Sequence, residues 1–257
     1  MTQSPETQSP ETQATKEPAP RLLVLATHNK GKLRELRELL RGQVPGLDVD
    51  TQVVDASAVG APDVAETGVT FAENALLKAR AVADATGLVA IADDSGLAVD
   101  VLGGAPGIFS ARWAGRHGDD AANLDLLLAQ LADVPDEHRG AAFVCAAALA
   151  LPQRGRAGDR ASTGGDAAAG ADAASSADDV PSEDDTASEV VEYGQLEGTL
   201  LREPRGSGGF GYDPVLQPVG LDRSCAELSP EEKNAISHRG KAFRALLPAI
   251  IEALSRK

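Results

Sequence analysis

A chain of 257 residues is long enough for one large domain or for two small lobes around a shared cleft. Its formal net charge of -15 is concentrated: residues 161–201 hold ten carboxylates and no Lys or Arg, residues 1–20 carry a net -2, and only -3 remains for the rest. That distribution argues against a broad basic nucleic-acid surface, and no apolar run approaches the roughly 20 residues a membrane span needs.

Residues 1–20 repeat the segment TQSPE, as Thr2–Glu6 and Thr7–Glu11, and begin it again at Thr12-Gln13. Such a polar, Pro-containing stretch buries too little apolar surface to offset its ordering entropy. It is expected to be a disordered tail ahead of a single domain over 21–257. It lacks a basic-plus-apolar leader pattern, so a cytoplasmic location is expected.

Leu22–Ala26 reads as a buried strand, and Lys30–Arg41 as a helix with Leu33, Leu36 and Leu40 on one face. The turn between them, Thr27-His28-Asn29-Lys30-Gly31-Lys32, combines short polar groups, two lysines and a helix N-terminus. That combination suits a phosphate, although the Walker A spacing is absent and a solvated basic turn has the same composition. Thr70 and Glu73 form a capping box that opens a helix to about Thr86, where Gly87 ends it. Leu88–Ala92 is then a short strand.

The adjacent carboxylates Asp93 and Asp94 follow that strand, in Ile91-Ala-Asp-Asp-Ser-Gly96. Ligands usually bind at strand ends in α/β sheets. Neighbours on extended chain point to opposite sides, so one carboxylate could hold Mg2+ or orient a water while the other fixes the loop. Mg2+ suits one or two carboxylates completed by substrate phosphates. Asp-Asp-Ser-Gly is also good turn composition. Glu66 is favoured as a further metal or water partner, because Glu73 already has a capping role.

A helix from about Asp120 turns Leu124, Leu127, Leu128 and Leu131 inward. Phe143–Leu151 and Val190–Leu201 read as two strands of a hairpin. Between them, residues 154–188 contain only Val180 among the large aliphatics and are expected to be a disordered acidic insertion at the hairpin tip. Gly206–Pro214 contains G-x-G-x-x-G, but the extended, Pro-broken Asp213–Pro218 after it rules out a dinucleotide turn. The loop could instead let a planar base approach the backbone and stack on Phe210 or Tyr212, and a tight turn with one buried aromatic explains it equally well. Ser229 and Glu232 form a second capping box with Pro230 at the first helical position. A final helix follows, with Phe243, Leu246, Leu247, Ile250, Ile251 and Leu254 at helical spacing. Near its start, His238 and Arg239 offer donors to carbonyl oxygens, and Lys233 could reach a phosphate or a base, although read alone the segment is better explained as a polar helix junction with Lys233 on a solvated face. Strand–helix alternation followed by a hairpin indicates an α/β fold with a mixed sheet. Cys145 and Cys225 are far apart and lack metal-type spacing, so they read as reduced thiols.

Together the stretches LATHNKGKLREL, ETGVTFAENALLKA, IADDSGLAVDVLGGAPGIFSARWAG, EPRGSGGFGYDP and ELSPEEKNAISHRGKA resemble the inosine triphosphate pyrophosphatase family in its bacterial, non-canonical purine nucleotide form. They follow the family order across nearly all of 22–255 outside the acidic insertion. The resemblance implies an elongated mixed β-sheet with flanking helices, forming two lobes around a central cleft. It implies Mg2+-dependent cleavage of ITP, dITP, XTP or dXTP to the monophosphate and pyrophosphate, by a homodimer acting on a small nucleotide rather than on nucleic acid. By motif, Thr27, His28, Asn29, Lys30, Gly31 and Lys32 would hold the triphosphate. Asp94 would be proton acceptor and Mg2+ contact, with Ser95 touching substrate and Glu66 as second metal contact. Phe210, Gly211, Tyr212 and Asp213 would line the base site, and Lys233, His238 and Arg239 would complete the pocket.

Overall fold

A computed structural model describes residues 23–153 and 189–255. The expected tail over 1–20 and the insertion over 154–188 lie outside the described residues. The sheet has six strands in the order β2-β1-β3-β4-β5-β6. These are β1 (Leu23–Leu25), β2 (Val53–Asp55), β3 (Val89–Val99), β4 (Gly140–Ala150), β5 (Glu189–Leu200) and β6 (Leu216–Pro218). β1 runs parallel to β2 and β3, whereas the β3–β4, β4–β5 and β5–β6 pairs are antiparallel. The mixed α/β architecture is therefore the one expected.

The helices are α1 (Lys30–Leu40), α2 (Val49–Gln52), α3 (Phe71–Thr86), α4 (Asp120–Gln130), α5 (Pro230–Ile236) and α6 (His238–Ser255). α1 and α6 cover one face of the sheet, where Leu23, Leu25, Leu36, Leu40, Ile91, Leu149, Phe243, Leu246 and Ile250 form a buried cluster. α3 covers the opposite face with alanines: Ala75, Ala79 and Ala83 pack against Ala90, Ala92, Ala146 and Ala148. Small side chains there let helix and sheet backbones approach closely. A separate cluster, Leu97, Val99, Leu124, Leu127, Leu131, Leu196, Leu200 and Leu216, builds a second lobe at the far end of β3, β4 and β5. The long strands thus run through both cores.

Two expectations need correction, and two elements are additions. β3 is not a short strand ending in an Asp-Asp-Ser-Gly turn: it continues unbroken to Val99, paired with β4 from Ala90–Ala150 to Val99–Ala141. Ladder pairing with β4 overrides the local turn composition. The Thr70 box is also shifted by one residue. Thr70 Oγ1 accepts from Glu73 N at 3.1 Å, but Glu73 Oε2 accepts from Val69 N at 2.6 Å rather than from Thr70. Finally, β2 and α2 were not anticipated, since elements of three and four residues carry no readable periodicity.

The second capping box is present in full: Ser229 and Glu232 each accept from the other's backbone N–H. Ser237 then breaks the chain in extended conformation and caps α6, its Oγ accepting from Gly240 N at 2.9 Å. That junction places His238 and Arg239 in the first turn of α6.

Candidate active site

A cavity of about 800 Å³ opens between the two lobes, with Asp93, Asp94 and Ser95 of β3 among its lining residues. Alternation along β3 sends the two carboxylates to opposite faces of the sheet. Asp94 meets α3: Asn74 Nδ2 donates to Asp94 Oδ2 at 3.2 Å, and Lys78 Nζ donates to Asp94 Oδ1 at 3.3 Å. Lys78 also donates to Glu66 Oε1 at 2.8 Å, so one ammonium bridges two carboxylates. Asp93 meets α1 and α6: its Oδ2 accepts from Lys32 Nζ at 2.9 Å and from Arg239 Nε at 3.1 Å. Ser95 Oγ donates to the same oxygen at 3.1 Å.

These environments drive the three carboxylates apart. Burial pushes the Asp94 pKa above its ordinary value, and Lys78 and Asn74 only partly offset it. Burial acts the same way on Asp93, but Lys32, Arg239 and Lys78 outweigh it and hold Asp93 far below the usual range. Glu66 is likewise lowered against its burial, by Lys78. Carboxylates separated in this way are the usual basis for acid–base assignment. Asp94, the one pushed upward, is suited to accept a proton.

The residues expected to line the base site are assembled around a fixed loop. Asp213 Oδ2 accepts from Phe210 N at 2.8 Å and from Lys233 Nζ at 2.5 Å. Gly211 N donates to Asp120 Oδ2 at 2.9 Å. Phe210 is 54% exposed, with Lys233 Nζ 5.1 Å from its ring centroid. Tyr212 is buried, and its hydroxyl donates to Ser110 O at 2.9 Å, so it stiffens the loop from beneath. The His238 ring stacks on Phe143 at 5.0 Å, and its buried Nδ1 has no partner among the described residues. Burial, with Arg239 and Lys233 nearby, lowers its pKa to about 3. The imidazole is therefore neutral near pH 7, with one donor and one acceptor nitrogen. Arg239 is fixed by two carboxylates, Nε to Asp93 and Nη1 to Glu35 Oε2 at 3.0 Å.

The phosphate-type turn is arranged differently from a simple helix N-terminal nest. Asn29 Oδ1 already accepts from Gly31 N at 2.8 Å and Lys32 N at 3.3 Å, so those amides are occupied by the cap. Lys30 and Gly31 do not line the cavity, whereas Thr27, His28, Asn29 and Lys32 do. His28 clasps the neighbouring loop, with Nδ1 2.8 Å from Ser57 Oγ and Nε2 2.7 Å from Asp63 Oδ1.

Sequence reasoning missed Lys78, Glu35 and Asp120 as site residues. For Lys78 a signal existed. Asn74 and Lys78 stand four residues apart on α3, on the turn-to-turn stripe that faces the sheet. Glu35 and Asp120 carried none, because an isolated acidic residue in a first or second helical turn reads as an ordinary helix residue.

The donor set fits Mg2+ in a limited sense. Glu66 and Asp94 are hard oxygen donors that already hold a cation, the Lys78 ammonium, between them. Among the described residues, no group of three or more His, Cys, Asp or Glu is placed to hold a metal ion. A Mg2+ ion held by this pair would have to complete its shell with ligands from outside these two side chains.

A model of the Ham1 family matches residues 23–249. The chain is 60% identical over 232 residues to a protein of Streptomyces coelicolor named dITP/XTP pyrophosphatase, covering 90% of this chain and 98% of that one. It is 53% identical to a protein of the same name from Bifidobacterium animalis subsp. lactis, over 90% and 97% of the two chains. Among solved structures, a HAM1 protein from Coxiella burnetii superposes with a TM-score of 0.69 at 39% identity, over 90% of this chain and 98% of that one. A Mycobacterium abscessus structure described as a nucleoside-triphosphatase, dITP/XTP pyrophosphatase, gives 0.62 at 45% identity, over 88% and 98%.

Proposed function

The chain belongs to the Ham1 family, and from that premise we propose that it hydrolyses ITP, dITP, XTP and dXTP to the nucleoside monophosphate and pyrophosphate, clearing them from the nucleotide pool. The observation that carries this reading is the single cavity joining two chemistries. Asp94, Glu66, Lys32 and Lys78 line it together with Phe210, His238 and Arg239, and Asp93 touches both Lys32 and Arg239.

Lys32 and Lys78 bring positive charge to the polyphosphate, and Thr27 and Asn29 add short polar contacts. Mg2+, bound with Glu66, Asp94 and the phosphates, would supply charge neutralisation for the leaving pyrophosphate. Asp94 takes the proton from the attacking water, directly or through the metal.

At the base end, hypoxanthine and xanthine present an oxygen at position 6, where adenine presents an amino group. Asp93 and Glu35 occupy Arg239 Nε and Nη1, which leaves Nη2 to donate to that oxygen. Adenine would leave a buried donor unpaired, which rejects it strongly. Guanine shares the 6-oxygen, so its 2-amino group must be excluded by the backbone around Phe210. Asp120 and Asp213 hold that loop in place.

We also read the protein as Mg2+-dependent, homodimeric and cytoplasmic. The dimer rests on the family resemblance, and among the described residues no helix is long and apolar enough to cross a membrane. Steady-state kinetics over a panel of triphosphates tests the reading. We expect kcat/KM for dITP and XTP to exceed that for dATP by at least about 100-fold, from the loss of one buried hydrogen-bonded partner. Equal values would refute the base specificity.

A further inference from the structure

One buried oxygen in the cleft wall accepts from two cations, one assigned above to the polyphosphate and the other to the base. Asp93 Oδ2 accepts from Lys32 and from Arg239, at 2.9 and 3.1 Å. The Asp93 side chain is only 1% exposed, so water does little to compensate either cation. Two cations on one oxygen repel each other and divide its field, so removing one strengthens the grip on the other.

The two cations are not equally held. Lys32 sits on a flexible stem and is 22% exposed, with Asp93 as its carboxylate partner among the described residues. Arg239 is 8% exposed and has a second anchor in Glu35. An arriving polyphosphate therefore draws Lys32 away first, leaving Asp93 to Arg239. Arg239 is then held more firmly in the orientation that reads the base. Such linkage is reciprocal: a bound base must favour the anion by the same factor.

We propose that Asp93 is a positioning residue that couples the phosphate subsite to the base subsite, so that the base is read tightly only while a polyphosphate holds Lys32. The inference rests on the reading of this cleft as a nucleotide site. It has a consequence for turnover. Once pyrophosphate leaves, Lys32 returns to Asp93, and the monophosphate is gripped less firmly at its base.

Calorimetric titration of the whole chain tests this without turnover, using inosine as the base probe and methylenediphosphonate as the phosphate probe, with Mg2+ in the buffer. Saturating diphosphonate is expected to tighten inosine binding about five- to tenfold, the lower range of ordinary coupling. Asp93→Asn is expected to bring that ratio close to one. Lys32→Gln, at a partly exposed position, supplies the measurement should Asp93→Asn fail to fold. It is expected to bind inosine alone about five- to tenfold more tightly than the wild type, with no further gain from diphosphonate. A merely structural Asp93 would not produce a gain of affinity on removing Lys32. Wild-type inosine binding that ignores diphosphonate overturns the coupling while leaving the nucleotide reading intact. Failure of either probe to bind at all overturns both.

Discussion

Asp93 and Asp94 are neighbours in sequence, yet the strand turns them to different sets of partners. Asp93 faces Lys32 and Arg239, and Asp94 faces Asn74 and Lys78. Asp94→Asn removes the carboxylate proposed as proton acceptor while keeping its shape beside Asn74. It is expected to lower kcat about 10²- to 10⁴-fold and to move Tm by no more than about 4 °C. Near-wild-type turnover would take Asp94 out of the mechanism. His238 gives a pH dependence of definite sign. Its folded-state pKa is about 3, below the 6.5 of a free imidazole, so between those values the unfolded chain holds a proton that the folded chain does not. Stability must then fall as pH drops from about 6.5 toward about 3, by at most about 1.4 kcal/mol per pH unit from this group. Asp93, with its lowered pKa, acts in the same direction at more acid pH. Urea unfolding across that range should show a flatter dependence in His238→Gln than in the wild type. At this scale residue type and spacing leave the carboxylate pair open to a turn and the His238-Arg239 pair open to a polar helix junction, and it is the family resemblance that joins them into one site. The ion pairs that decide their charge states were not legible, because Lys32 and Arg239 reach Asp93 across 61 and 146 residues of sequence.

Elements place these groups, and the close contacts between elements set the tolerance. β5 passes α6 at Gly194, where an added Cβ would collide with His238 O and would lie 2.5 Å from Ala242 N. Both are backbone atoms, so the start of α6 would have to move, carrying His238 and Arg239 with it. Gly194→Ala is expected to cost about 1–3 kcal/mol from overpacking and to raise KM for dITP several-fold with a smaller effect on kcat. Unchanged KM and Tm would show that α6 yields there without consequence. In the second lobe, the buried Arg139 donates to Leu200 O, Leu131 O and Leu201 O at 2.8, 2.7 and 2.9 Å, joining the end of α4 to the end of β5. Arg139→Met leaves those carbonyls without their donor and is expected to lose about 2–4 kcal/mol by chemical denaturation. α1, α3, α4 and α6 were readable from caps and apolar spacing. β3 was read too short because its carboxylates look like a turn until β4 and the flanking cations supply their partners.

Across the molecule, charge and function occupy different places. The net -15 lies mostly in residues 1–20 and 161–201, while the cleft gathers Lys32, Lys78, Lys233 and Arg239 around its carboxylates. The β4–β5 hairpin remains in register to its end, with Ala150 opposite Glu189. A short Gly-containing turn in place of 154–188 would close the same ladder, so that variant is expected to retain wild-type kcat/KM and oligomeric state. A loss of either would give the insertion a role. The two-lobed, mixed-sheet plan was legible from the order of elements and the family resemblance. The most direct test of the whole account is product analysis after incubation with dITP and Mg2+. We expect dIMP and pyrophosphate in equal amounts, and orthophosphate released with dIDP would refute cleavage between the α and β phosphates.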